Sequence, residues 1–145
     1  MLAVLSLGVG ACELPARRGR VVDGDTRAPI AEVRVVELWR AGRALSDVAA
    51  TRHVRLATTD REGRFALPAE TSAGALRGGA APSYVLVHPS YGLVRAGERE
   101  PIEGVLDFEM SRADVTAQQS LTALCESRPR EDWEREIAAE VCPDR

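Results

Sequence analysis

The chain has 145 residues, of which 45% are hydrophobic and 28% are charged, so its size fits one soluble domain and excludes a large multidomain enzyme. Only 4% of the residues are aromatic, and 19 basic side chains stand against 22 acidic ones, for a net charge of -3. Without a basic excess or surplus aromatic side chains, the chain lacks the features that bind phosphate backbones and stack bases, and we expect no nucleic acid partner.

The first residues combine a short apolar run with small residues and a cysteine. Residues 2–9 are mostly aliphatic, Gly10 and Ala11 follow, and the composition becomes polar directly after Cys12. The run is too short for a transmembrane helix, which needs about 20 apolar residues. The arrangement resembles the end of a bacterial lipoprotein signal peptide, although no basic residue precedes the run. The resemblance implies that residues 1–11 are removed and that Cys12 carries a lipid anchor in the membrane. The alternative is a buried N-terminal strand or helix with an incidental cysteine.

The residue after the candidate lipidation site bears on location. Many lipoproteins that stay at the inner membrane have an aspartate at this position, whereas this chain has Glu13. The resemblance therefore implies an exported outer-membrane lipoprotein that faces the periplasm or the cell surface of a bacterium.

The three cysteines fit one anchor and one disulfide. Thiols pair in an oxidising compartment, and setting Cys12 aside leaves Cys125 and Cys142. Neither of these two has a second cysteine or a histidine at metal-ligand spacing, so a zinc site is poorly supported. We expect a Cys125–Cys142 disulfide.

The middle of the chain alternates short apolar segments with turn-forming residues, and no helical pattern intervenes. This organisation predicts an all-β domain, an antiparallel β-sandwich. Predicted strands include Arg20–Val22, Val33–Trp39, Val54–Thr58, Phe65–Leu67, Tyr84–Val87 and Leu106–Met110. The residues predicted to be buried between the two sheets are Val33, Val35, Phe65, Leu67, Leu106 and Phe108.

Two of these strands have a distinctive pattern. The alternation along Val33–Trp39 changes phase between Val35 and Val36, which predicts a β-bulge. Tyr84–Val87 is apolar throughout, as expected for a central strand that is covered on both faces. The connections 40–52 and 71–83 are longer than ordinary hairpin loops and are candidate binding loops.

The C-terminal segment contains a helical pattern. Trp133, Ile137 and Val141 recur every four residues, which predicts a helix over Arg130–Val141 that ends before Pro143. We expect this helix, stapled by the disulfide, to cap the sandwich.

Two stretches carry a family resemblance. Residues 19–35 read GRVVDGDTRAPIAEVRV, and residues 58–67 read TTDREGRFAL. In order and spacing they resemble the carboxypeptidase regulatory-like domain, over about residues 18–111. Arg27 and Glu32 stand where that family's pattern usually has glycine.

This resemblance implies a transthyretin-like (prealbumin-like) Greek-key sandwich of about seven strands, to which the C-terminal pattern adds a helix. The expected organisation is a signal peptide at 1–11, a linker at 12–18, the sandwich at 19–111 and a helical tail at 112–145. Modules of this family are usually non-catalytic accessories or display domains. Together with the resemblance to a lipoprotein signal peptide, this implies a binding or structural module at the cell envelope, with no cofactor and with an unidentified protein or glycan as its ligand.

An enzyme is the alternative. Residues 29–31 and 36–41 also resemble the opening of the intradiol ring-cleavage dioxygenases, which bind ferric iron through two tyrosines and two histidines. The candidate ligands in this chain are Tyr84, Tyr91, His53 and His88. Two observations weigh against an iron site: the paired His-x-His of that family is missing, and two of the candidates would lie about 13 Å apart if they shared a strand.

Two further possibilities have less support. The transthyretin-related hydrolase of urate breakdown has a C-terminal Tyr-Arg-Gly-Ser signature that this chain lacks. Asp23, Asp25 and Asp60 could offer oxygen ligands to calcium, but acidic residues in β-turns usually serve as turn formers. The sequence therefore predicts no catalytic residue and no metal site.

Overall fold

The computed structural model describes residues 12–40, 51–72 and 81–143. Within these ranges the chain forms two stacked β-sheets, a short two-stranded ribbon and two C-terminal helices. The strands are β1 (Cys12–Leu14), β2 (Arg17–Asp23), β3 (Arg34–Arg40), β4 (Thr51–Thr58), β5 (Arg64–Leu67), β6 (Glu70–Ser72), β7 (Ser83–His88), β8 (Gly92–Glu98) and β9 (Val105–Met110). The helices are α1 (Val115–Glu126) and α2 (Asp132–Val141).

Seven strands build the two main sheets. One sheet has the order β5–β2–β9 and the other has the order β4–β3–β7–β8, while β1 pairs with β6. The prediction of a mostly β, two-sheet domain is confirmed. The expectation of a wholly antiparallel sandwich is wrong, because β2 and β9 run parallel. The chain between these two strands passes through the other sheet, so no hairpin constrains their relative direction.

The space between the sheets is filled by the predicted core. All six residues named above are buried there. The rings of Phe65 and Phe108 have centroids 6.1 Å apart, and Tyr84 lies 5.3 Å from Phe108. A second tyrosine, Tyr91, joins the same core.

The second face of the four-stranded sheet is also covered. The helices pack a second apolar cluster onto it, in which Trp133 and Ile137 of α2 contact side chains from the sheet. The neighbours Val35 and Val36 are therefore both 0% exposed. The phase change on β3 reflects burial of both faces, so the predicted bulge at this point is wrong. The register shift lies instead between Trp39 and Arg40.

The C-terminal tail contains one more helix than expected. The helix predicted over Arg130–Val141 forms as α2, whereas α1 was not predicted. Asp114 caps α1 by accepting a hydrogen bond from the backbone N–H of Ala117 at 2.9 Å. Half of the twelve residues of α1 are polar, and only Ala117 and Leu124 are buried.

Other expected boundaries also change. Residues 12–18, expected to be a linker, contain β1 and the first two residues of β2. The alternation in β8 was too weak to predict this strand. Residues 1–11 lie outside the described residues, as do 41–50 and 73–80 within the two long connections.

The predicted disulfide joins the helices. Cys125 lies near the end of α1, Cys142 follows the end of α2, and their Cα atoms are 5.5 Å apart. Because α2 rises about 15 Å over its length, the short segment between the helices must run back alongside α2.

We expect Gly19→Ala to destabilise the sandwich strongly. A Cβ at this position would lie 2.5 Å from the Phe65 ring and 2.4 Å from the Leu106 carbonyl oxygen. Since a backbone carbonyl cannot yield as a flexible side chain does, the free energy of unfolding should fall by about 3 kcal/mol. Urea unfolding measures this loss. The control is Gly24→Ala, whose Cβ would have its nearest contact at 3.5 Å; equal losses for both variants would contradict the packing argument.

Loss of the disulfide should destabilise the helical layer. In the chain-entropy model, a closed loop of this size contributes about 3 kcal/mol to the free energy of unfolding. The double variant Cys125→Ser/Cys142→Ser should lose that amount, and reductant should lower the stability of the parent chain but not of the variant. Thiol labelling under denaturing, non-reducing conditions provides a second measurement. Two reactive thiols at these positions in protein from its native compartment would count against the bond.

Candidate functional site

The most concentrated polar chemistry of the described residues lies inside one end of the sandwich. Glu37 is 0% exposed there. It accepts hydrogen bonds from the Tyr84 hydroxyl at 2.8 Å, from Arg55 Nε at 2.6 Å and from the Trp39 indole N–H. Arg17 Nε lies 3.6 Å from its second carboxylate oxygen. We call these five residues the Glu37 cluster.

Strand register explains how the cluster assembles. On β3, Glu37 shares the inward face with Val35, and its direct neighbours are Arg55 on β4 and Tyr84 on β7. Side chains directly opposite each other on adjacent strands lie close enough to interact. Arg17 comes from the facing sheet, so the cluster connects both sheets.

The electrostatics of the cluster are asymmetric. Two guanidinium groups face one buried carboxylate, and Arg55 is itself 3% exposed. A second carboxylate, that of the exposed Glu100, lies 3.9 Å from Arg17. Burial, and next the negative charge of Glu37, raise the pKa of Tyr84 far above its ordinary value. The tyrosine therefore stays protonated as a donor.

The chemistry available to the cluster is limited by burial. Glu37 already receives three hydrogen bonds and an ion pair, so its carboxylate offers little to an incoming substrate. Arg55 Nη2 and Arg17 Nε are buried without a hydrogen-bond partner in the part of the chain that the structure describes. The Glu37 cluster therefore holds strands in position and does not present reactive groups to a substrate.

A second polar group lies at the other end of β2. Asp23 accepts hydrogen bonds from the backbone N–H groups of Asp25 at 2.8 Å and Thr26 at 3.0 Å, and from the Tyr91 hydroxyl at 2.7 Å. The backbone N–H of Thr26, followed by the Tyr91 hydroxyl, lowers the pKa of Asp23. Asp23 thus fixes the turn after β2 and attaches it to Tyr91.

His88 stands beside this group. Its ring contacts Tyr91 edge-on with centroids 5.2 Å apart, and its Nδ1 accepts the backbone N–H of Ser90 at 3.0 Å. The Arg112 guanidinium lies over the Tyr91 ring, 5.2 Å from its centroid. Burial lowers the pKa of His88. Its ring is therefore neutral near pH 7.

The four candidate iron ligands are divided between the two ends. Tyr84 belongs to the Glu37 cluster, and His53 Nε2 lies 2.7 Å from Glu70 near the start of β4. Tyr91 and His88 lie at the Asp23 end. β2 runs from Arg17 at one end to Asp23 at the other, and its length is about 20 Å. The structure does not bring the four side chains together.

The three aspartates considered for calcium also have local partners. Asp60 accepts the backbone N–H groups of Glu62 and Arg64, as Asp23 does in its own turn, and Asp25 accepts the Ser111 hydroxyl. These are the bonds of turn-forming residues. Among the described residues, no group of three or more His, Cys, Asp or Glu side chains is arranged to hold a metal ion.

Two turn positions carry unusual backbone angles. Arg27 and Glu32 have φ values of 64° and 61°, in the left-handed region that glycine adopts most easily. At these two positions, the pattern of the family that the sequence resembles usually has glycine.

The candidate lipidation site lies at the edge of the fold. Cys12 is the first residue of β1 and is the register partner of Ser72 on β6. Two residues separate β1 from β2, so an attachment at Cys12 would lie close to the Arg17 end of the sandwich. No helix in the described part of the chain is long and apolar enough to span a membrane.

Sequence reasoning missed the Glu37 cluster. The available signal was a single acidic residue inside an apolar strand. Its partners lie in strands that are distant in sequence, so their identity depends on register and sheet stacking.

Comparison with protein-family models, curated proteins and solved structures gave no match for this chain in any of the three.

We expect Glu37→Gln to be among the most destabilising substitutions. It leaves the buried Arg55 guanidinium without its anion and leaves Arg17 with only the exposed Glu100. Removal of one partner from a buried ion pair costs about 3–5 kcal/mol. Asp107→Asn is the matched control, because its pair with Arg20 is solvent-exposed and such pairs contribute less than about 1 kcal/mol. Urea unfolding measures the free energy of unfolding that each of the two variants loses. Equal losses would show that the cluster is not a structural anchor.

Acid should destabilise the fold through His88. Because its pKa is lowered in the folded state, the unfolded chain takes up the proton first, and stability falls as the pH drops below about 6.5. Protonation of Nδ1 also removes the acceptor for Ser90. His88→Asn keeps an acceptor and removes the titration, so thermal midpoints across this pH range should fall less steeply in the variant. An unchanged slope would assign the acid sensitivity to another group.

Proposed function

We propose that this chain is an exported, lipid-anchored, non-catalytic β-sandwich module that serves as a binding or structural accessory at the bacterial cell envelope. The single observation that carries this proposal is the Cys125–Cys142 disulfide, which leaves only Cys12 of the three cysteines. Structural disulfides form and persist in oxidising compartments, outside the reducing cytosol.

The placement of the family-like motifs supports a transthyretin-like Greek-key topology. Residues 19–35 form most of β2, the turn after it and the start of β3, so this motif crosses from one sheet to the other. Residues 58–67 lead from β4 back to β5 in the first sheet. Both stretches therefore occupy sheet-to-sheet connections, where turn residues decide the path of the chain.

The location of Cys12 supports an anchoring role. A lipid on this residue would tether the Arg17 end of the sandwich directly to the bilayer, since only two residues lie between β1 and β2. The turn after β2 and the Asp60–Gly63 turn would then face away from the membrane, available to a partner.

The internal use of polar groups supports a non-catalytic role. Glu37, Tyr84, Asp23 and Tyr91 each hold strands or turns together through hydrogen bonds. No observation favours the iron-dependent alternative, whose candidate ligands lie at opposite ends of the sandwich.

Metabolic labelling with an alkyne fatty acid tests the anchor. The chain, expressed with its own leader in a Gram-negative host, should carry the label in the membrane fraction, whereas Cys12→Ser should not. The double variant Cys125→Ser/Cys142→Ser controls for labelling of other thiols and should retain the lipid. A soluble, unlabelled parent chain that keeps Met1 would refute the proposal. Stoichiometric iron with a tyrosinate-to-iron absorption band would refute its non-catalytic part.

A further inference from the structure

A groove lies between the edge strand β4 and the start of α2. Its volume is about 580 Å³. Its floor is apolar: Val54 and Leu56 are half-buried on the helix side of β4, and Trp133 of α2 is 5% exposed beside them. We call this the β4–α2 groove. The helical layer covers the centre of the four-stranded sheet and leaves this margin open.

The floor of the groove borders an unpaired strand edge. In the described part of the chain, β4 pairs only with β3 and ends the four-stranded sheet. At the opposite edge strand, β8, α1 packs closely against the start of the strand, where a Cβ on Gly92 would lie 2.4 Å from the Ala117 carbonyl carbon. An uncovered strand edge presents backbone donors and acceptors to an incoming strand.

Strand alternation specifies which residues would receive such a strand. The backbone N–H of Thr59 donates to Val33, so Thr59 points towards β3. In an antiparallel ladder the intervening residues direct their backbone groups the other way. Those residues are Val54, Leu56 and Thr58. Two of them also form the apolar floor, so one extended segment could use the strand edge and the groove together.

The rim of the groove is acidic. Glu131, Asp132 and Glu136 line it together with Arg130. Two of these acids also have cationic neighbours, because Arg135 lies 3.2 Å from Asp132 and Arg34 lies 3.9 Å from Glu136. Residues 130–141 hold five acidic side chains against two basic ones, so this segment has a net charge of -3, the same as the whole chain. The Asp132 side chain is 97% exposed. Three carboxylates against one lining base therefore give the rim an acidic excess beside an apolar strip and an open strand edge.

We propose that the β4–α2 groove binds an extended segment of a partner protein, which adds as a strand to β4 and carries arginine or lysine at alternate positions. Backbone hydrogen bonds to the edge provide affinity, and side chains on one face provide specificity. The aliphatic stems lie on Val54 and Leu56, while the cationic heads reach Asp132 and Glu136. The proposal deepens the proposed accessory function by naming its class of partner, and it rests on that function.

The experiment uses the full chain with Cys12→Ser, so that it reports on the groove independently of lipid attachment. The probe is a short synthetic peptide that alternates arginine with threonine. The chain has two tryptophans, and their indole N–H signals in NMR spectra provide an internal comparison. The Trp133 indole donates to Glu131 at the rim, whereas the Trp39 indole donates to Glu37 inside the sandwich. Peptide should shift the Trp133 signal saturably and leave the Trp39 signal unchanged.

Matched peptides separate charge from backbone pairing. Replacing arginine by citrulline keeps the length of the side chain and removes its charge, so affinity should fall at least about tenfold. N-methylation at alternate residues should abolish binding in the register that faces β4 and spare it in the other register. Glu136→Gln should weaken binding, whereas Glu98→Gln, an exposed change on the opposite edge strand, should leave it unchanged.

Several outcomes would overturn the proposal. They are an unshifted Trp133 signal, equal binding of the citrulline peptide, and equal binding of both N-methylated registers. Concentration-dependent self-association of the chain, reversed by blocking β4, would assign the groove to a second copy instead. None of these measurements depends on lipidation. A negative binding result would therefore not affect the conclusion of the anchor experiment, and a negative anchor result would not change the interpretation of the binding measurements.

Discussion

The burial of β3 on both faces is the constraint on which the rest of the structure depends. Residues 35–39 of this strand are all buried, with one face between the sheets and the other beneath the helices. An acidic residue in such a strand requires compensation, because a buried unpaired carboxylate is very costly. Glu37 obtains it from Arg17 and Arg55, and three strands in two sheets thereby become mutually dependent. Removing either arginine would therefore affect the register of all three strands at the Arg17 end of the sandwich.

The helical layer follows from the same strand. The outward face at the centre of β3 and β7 is apolar and consists of Val36, Leu38, Val85 and Val87. The four-stranded sheet therefore needs a cover, and α2 provides it through Trp133 and Ile137. Two further links hold this cover in place: the disulfide, and the ion pair of Arg34 on β3 with Glu140 on α2 at 3.0 Å. The cover is narrower than the sheet. The open margin beside β4 and its acidic rim arise from that difference in width.

Polar chemistry and exposed surface are separated in this molecule. The interior carboxylates and tyrosines hold strands and turns together, while the groove offers an apolar strip, a strand edge and an acidic rim. A domain with this division is suited to presenting a surface, since its buried carboxylates and tyrosines are engaged in hydrogen bonds and the groove is open. This supports the proposed accessory role and gives the disulfide a purpose, because the helix that bears the acidic rim must stay docked.

Local patterns in the sequence predicted the features that depend on local chemistry. Alternation along β5 and β9 reports which face of each strand is buried, and the spacing of Trp133 and Ile137 reports the buried face of α2. Counting cysteines predicted the disulfide. Tertiary structure decided the rest. The parallel direction of β2 and β9 depends on the path of the chain through the other sheet, and the phase change on β3 arises from helices that pack on it. The partners of Glu37 come from residues 17, 55 and 84. A linear pattern records how exposed each residue is but not which distant residue packs against it, and it therefore could not specify the cluster or the groove.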